Sequence, residues 1–110
     1  MPQLTFRGVH PDRLMPVSSS LVEELAGICG CGPGEFTLDV LSITSIGNGG
    51  LVPVYPFVEV AWFERGTAVR DAFAATVAGH LREAGVPEME IAFKVYEPDA
   101  YYINGVTCAK

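Results

Sequence analysis

Pro2 carries the most distinctive chemistry in this chain of 110 residues. Proline is the one residue whose nitrogen, as a free terminus, is a secondary amine. An α-amino group titrates at about 7.7–8.0, and apolar surroundings or a nearby cation lower that value. Such an amine is neutral at about pH 7 and can act as a general base. The chemistry requires loss of the preceding methionine, which a small residue at position 2 permits. With Met1 retained, the nitrogen is an amide and has no basicity. Pro2 runs directly into Leu4-Thr5-Phe6-Arg7, whose alternation of apolar and polar residues predicts a strand. The nitrogen is therefore expected at the edge of a sheet and not on a loose tail.

The other chemistry-bearing residues are sparse. Seven Lys+Arg stand against 13 Asp+Glu, a formal net charge of −6. This balance lacks the basic stripe that neutralises phosphates, so nucleic acid is not an expected partner. It also disfavours electrostatic docking on an anionic membrane. In so acidic a chain, a small anionic ligand would need one of the few cations in its pocket. Glu59 interrupts an apolar strand, sharing a face with Phe57, Ala61 and Phe63, opposite Val58, Val60 and Trp62. A carboxylate there calls for a partner, and a structural role is the expectation. Cys29-Gly30-Cys31 lacks zinc-knuckle spacing, and His10 and His80 belong to no ligand cluster. The glycines at 30–34 and 47–50 lack the Gly-Lys-Ser/Thr ending of a phosphate loop. No metal and no cofactor are expected.

The elements that must position Pro2 follow from periodicity. Leu14, Val17, Leu21, Leu25 and Ile28 recur every three or four residues and mark a helix face. Ser20 and Glu23 have capping-box spacing, and Gly30 to Gly34 ends the helix. Phe36 to Thr44 predicts a long strand, Ile46 to Gly50 a turn, and Phe57 to Phe63 a strand covered on both faces. Thr67 is placed to cap a second helix whose stripe is Val69, Phe73, Val77, Leu81 and Ala84, stopped by Gly85 and Pro87. Ile91 to Tyr96 reads as a strand, and Asn104-Gly105 as the turn of a terminal hairpin. The whole chain, 1–110, is one α/β (α+β) domain of two β-α-β halves. They form a four-stranded mixed sheet with two helices on one face.

Apolar residues make up 49% and charged residues 18%, against about 25% charged in an ordinary domain. The surplus predicts a subunit interface, and the sheet face without helices is its expected place. The first residues lack a charged region followed by an apolar stretch, and Glu59 and Glu64 break the longest apolar run. Three cysteines without a secretory signal suit a reducing cytoplasm.

Met1-Pro2 leading into a strand, this length, and the two β-α-β halves resemble the tautomerase superfamily of macrophage migration inhibitory factor and 4-oxalocrotonate tautomerase-like proteins. Leu4 to Arg7, Phe57 to Phe63 and Ala100 to Gly105 more closely resemble a bacterial branch of unknown function. The resemblance implies a homotrimer with sites at subunit boundaries. It implies that Pro2 is the acid/base of a cofactor-independent keto–enol tautomerisation of a 2-keto acid. It also implies a cation for the substrate carboxylate, but the lysine that cytokine-like members place after the first helix has no counterpart in Cys31-Gly32-Pro33-Gly34. Arg7 and Arg13 are the substitutes, either able to bind a carboxylate in a bidentate manner. Lys94 lies on the strand where such members keep a substrate-facing polar residue. Trp62 or Phe63 could form an apolar wall, and Tyr101, Tyr102 and Asn104 could reach in from a neighbour; interface packing explains these aromatics equally well. Two readings stay open: a tautomerase, or a non-catalytic trimer that binds a small ligand or protein partner.

Overall fold

The computed structural model describes residues 2–109; Met1, on whose removal the chemistry of Pro2 depends, lies outside them. Alternation builds the sheet. In β1 (Gln3–Arg7), Leu4 and Phe6 are fully buried while Gln3, Thr5 and Arg7 face the other way. β5 (Phe57–Trp62) buries Val58, Val60 and Trp62 on the same side. β2 (Thr37–Leu41) and β6 (Glu90–Val95) flank this pair, giving the order β2-β1-β5-β6. β1 runs parallel to β2 and antiparallel to β5, and β5 runs parallel to β6. Each parallel pair is joined through helices, α1 (Pro11–Leu14) and α2 (Ser18–Cys29) in the first half and α3 (Thr67–Glu83) in the second. The two halves meet at the antiparallel β1–β5 seam.

Leu21 and Leu25 from α2 and Phe73, Val77 and Leu81 from α3 are fully buried against the strand residues. Each such side chain contributes about 1.5–3 kcal/mol relative to exposure. Phe73 sits at the centre, its ring 5.2 Å from Trp62, 5.7 Å from Phe93 and 6.4 Å from Phe36. No helix of the described residues is long and apolar enough to cross a membrane.

Several boundaries differ from expectation. α2 begins at Ser18, so Ser20 is inside it and donates its hydroxyl to the Val17 carbonyl at 3.2 Å in place of capping. The chain enters α2 from a 3-10 turn at Met15–Val17, whose right-handed residues already continue the helical path. Gly66, not Thr67, holds the N-cap position of α3. β2 stops at Leu41 because its partner β1 stops at Arg7. The predicted turn at 46–50 is a hairpin, β3 (Ser45–Gly47) and β4 (Gly50–Val52), turning through Asn48 and Gly49 at φ 49° and 75°. The same geometry at Asn104 and Gly105 joins β7 (Tyr102–Ile103) to β8 (Val106–Thr107).

The sheet face away from the helices corrects one premise. The expected place of the apolar surplus is largely polar. Gln3, Thr5, Arg7, Thr37, Asp39, Glu59, Glu90 and Lys94 lie on it, with Leu41, Phe57, Ala61 and Ala92 between them. Glu59 is exposed on this face and needs no buried partner.

Candidate functional site

The antiparallel seam decides what surrounds Pro2. Gln3 pairs with Ala61, and Ala61 with Lys94 on the next strand, so the start of β1 lies beside the ends of β5 and β6. The Pro2 side chain is fully buried, and its carbonyl accepts the Thr37 N–H at 3.3 Å. An amine held in such a position is poorly solvated in its charged form, which lowers its basicity.

The residue that supplies positive charge to this corner is Arg65, which sequence reasoning missed. It follows β5 directly, and its guanidinium carbon lies 5.4 Å from the centroid of the Trp62 ring. Its Nη1 donates to the Phe63 carbonyl at 3.0 Å. The turn carrying it is pinned by Glu64, whose Oε2 accepts both the Gly66 N–H at 2.8 Å and Arg70 Nη1 at 2.7 Å. Arg65 is half-buried and makes no ion pair among the described residues. Its charge reaches the Cys29 thiol at the end of α2, where it opposes the effect of burial; burial dominates and pushes that thiol above its ordinary range. The antiparallel β1–β5 pair brings whatever follows β5 to the beginning of β1, and no local sequence pattern announces that pairing.

The residues singled out from sequence fall into two groups. Arg7 is five residues along β1 from Pro2, roughly 17 Å at strand rise, and stacks over Phe57 at 4.9 Å. Arg13 is also remote, donating to the Ala84 carbonyl at 3.2 Å beyond the far end of α3. The chain does not bring either to Pro2. Lys94 is at the Pro2 end, exposed on the helix-free face, with its ammonium 5.9 Å from the Tyr96 ring centroid. Trp62 is fully buried between Phe73 and Phe93, facing the helices, and its indole nitrogen lacks an acceptor among the described residues. Phe63 meets Tyr101 edge-on at 5.0 Å, and the Tyr101 hydroxyl accepts from Gln3 Nε2 at 3.3 Å. Tyr102 and Asn104 are exposed on the terminal hairpin, and the left-handed turn accounts for Asn104 structurally. One end of the sheet thus gathers Pro2, Arg65, Lys94, Phe63 and Tyr101. Arg65 lies over Trp62 on the helix side of that end and Lys94 on its helix-free face; a guanidinium beside aromatic surface can bind a small organic anion.

Solved structures support the fold. A domain of unknown function (DUF1904) from Sebaldella termitidis is 27% identical, with 97% of this chain and 99% of that one covered at a TM-score of 0.89. A fused 4-OT described as an asymmetric trimer shares 14% identity at a TM-score of 0.80, covering 96% of this chain and 95% of its own. A macrophage migration inhibitory factor-like protein from Entamoeba histolytica shares 10% identity at 0.71, covering 96% and 97%. The fold is therefore that of the tautomerase superfamily, as the sequence resemblance implied. Among curated proteins none matches this sequence. The family model for "Domain of unknown function (DUF1904)" matches residues 1–107, nearly the entire chain, and the protein belongs to that family.

Proposed function

We propose that the protein is a cofactor-independent keto–enol tautomerase of the cytoplasm, acting as a homotrimer on a small 2-keto or unsaturated carboxylic acid. The observation that carries the reading is the antiparallel β1–β5 pairing, which sets Pro2, buried at the start of β1, beside the end of β5, where Arg65 follows with guanidinium donors left over after the Phe63 carbonyl is served. In this mechanism Arg65 holds the substrate carboxylate; Lys94 is at the same end of the sheet but on its helix-free face. The neutral prolyl nitrogen takes the proton from the carbon next to the ketone, or from the enol hydroxyl, and returns it to the other atom. Phe63 and Tyr101 bound the site with apolar surface, which favours the neutral amine. Self-association is supported by the trimeric state of the fused 4-OT neighbour and by large apolar residues exposed on both hairpins.

The full burial of Pro2 favours a second reading, a non-catalytic binding protein on the same scaffold. The two are separated by intact mass of the native protein and by ketonisation of the enol of phenylpyruvate. The tautomerase reading expects loss of one methionine and a rate that collapses in Pro2→Ala. Equal rates in wild type and Pro2→Ala remove Pro2 from the mechanism.

A further inference from the structure

Two thiols at the end of α2 have no part in that mechanism. Cys29 is the last residue of the helix, and Gly30 caps it in the left-handed region at φ 69° and ψ 34°. The N–H of Cys31 returns to the Ala26 carbonyl at 3.1 Å, which fixes the turn. The Cα separation of two residues flanking a third depends on the φ and ψ of that third residue. The angles of Gly30 are close to the mirror image of a right-handed helical residue. Cys29 and Cys31 therefore stand as far apart as residues i and i+2 of a helix, about 5.4 Å from a Cα radius of about 2.3 Å and a rise of about 1.5 Å. A disulfide requires roughly 4.4–6.8 Å. The two sulfurs are near enough to act on each other, the neighbouring Cys31 thiol adding to the effect of burial on Cys29. Both cysteines are free and half-buried, so a small oxidant can reach them from solvent. Burial pushes the Cys29 thiol up and holds its proton, which makes it a poor first nucleophile.

We propose that Cys29 and Cys31 form a redox-active dithiol that hydroperoxides close into a disulfide spanning a single residue. The Cys31 thiolate attacks one peroxide oxygen, the O–O bond breaks, and hydroxide leaves, giving a sulfenic acid. The Cys29 sulfur then displaces that oxygen, forming the S–S bond. Its proton and the displaced hydroxide leave as water. Two thiols lose two electrons and one peroxide gains them, with two waters formed from hydrogen peroxide. A dithiol reductant reverses the step.

The test uses the full chain carrying Cys108→Ser, which removes the third thiol. It is exposed to hydrogen peroxide, denatured, treated with N-ethylmaleimide, and analysed by intact mass and peptide mapping. The expected result is a monomeric chain lighter by two hydrogens, unreactive to maleimide, and regaining two alkylations after dithiothreitol. Mapping wild-type protein for the Cys29–Cys31 cross-link repeats the test without a variant. A synthetic peptide of residues 27–34 should close at least about tenfold more slowly, because it lacks the preset turn. Persistent alkylation of both thiols, accumulation of sulfinic acid, linkage between chains, or a peptide that closes as fast as the protein would each overturn the proposal.

Discussion

Replacing Arg65 by Met keeps most of the aliphatic stem and removes the fork of donors. Two contacts with the chain are lost. The stack on Trp62 contributes about 0.5–1 kcal/mol at a partly exposed site, and the bond to the Phe63 carbonyl about 0.5–1.5 kcal/mol. Urea unfolding should therefore register a loss of roughly 1–2.5 kcal/mol, too little to unfold a typical domain. Catalysis should suffer differently. Hydrogen bonds to a charged group contribute about 1.5–3 kcal/mol, so kcat/KM on the enol of phenylpyruvate should fall roughly 10- to 150-fold. The methyl ester of the same substrate lacks the carboxylate and should lose far less. Unchanged kcat/KM on the acid would refute Arg65 as the clamp. Equal losses on acid and ester would show that the residue only supports the corner. Arg7→Met, at the other end of β1, should leave both rates near wild type if the clamp lies within one chain.

Phe73→Ala should cost about 4 kcal/mol in urea unfolding, because it empties a fully buried site bordered by Trp62, Phe93 and Phe36; a loss below about 1 kcal/mol would mean that the neighbours collapse into the space. Gly8→Ala should destabilise by more than about 1 kcal/mol, since Gly8 has φ 76° and a Cβ would lie 2.8 Å from the Tyr55 and Pro56 backbone; thermal melting checks it. The raised Cys29 thiol holds its proton more tightly folded than unfolded. Its share of stability is thus intact below the ordinary thiol range and is lost as pH rises through that range to the folded value. Cys29→Ser should flatten that alkaline decline in a pH series of urea melts, and maleimide labelling of native Cys29 should accelerate only at a pH above that of a free thiol.

The fold was legible because its strongest patterns are self-consistent. Leu4 and Phe6 alternate, Phe73, Val77 and Leu81 repeat every four residues, and Gly30 breaks its helix where a left-handed residue is needed. The hairpin at 45–52 is hard to read from sequence because its three-residue strands carry too little alternation and the run Gly47 to Gly50, two of whose residues end the strands, is all turn-forming. The site was less legible for a different reason. Arg7 and Arg13 are close to Pro2 in sequence, yet each strand residue moves the chain about 3.3 Å away. Arg65 is 63 positions from Pro2 and is brought to its end of the sheet by pairing. Local patterns identify elements, whereas the antiparallel join between the two halves is a non-local choice that periodicity leaves undetermined.

The composition argument for self-association does not depend on the helix-free sheet face. The helix-free sheet face carries eight polar or charged residues and can stand in water. The apolar surplus is on the hairpins: Ile46 and Leu51 are 69% and 78% exposed, and Tyr102, Ile103 and Val106 are more than half exposed. A two- or three-residue strand pair is not stable alone in water, and these pairs have little of the chain's core beneath them. The described chain is elongated, 50 × 29 × 25 Å, where a small domain minimising its surface would be rounder. Both outer strands, β2 and β6, also have an unpaired edge within the sheet. In the proposed assembly these features answer one another: a neighbour that covers the hairpins and extends the sheet edges buries the surplus and leaves the polar face wet. The corner holding Pro2 and Arg65 is next to the terminal hairpin through Tyr101, so the same association would complete its wall.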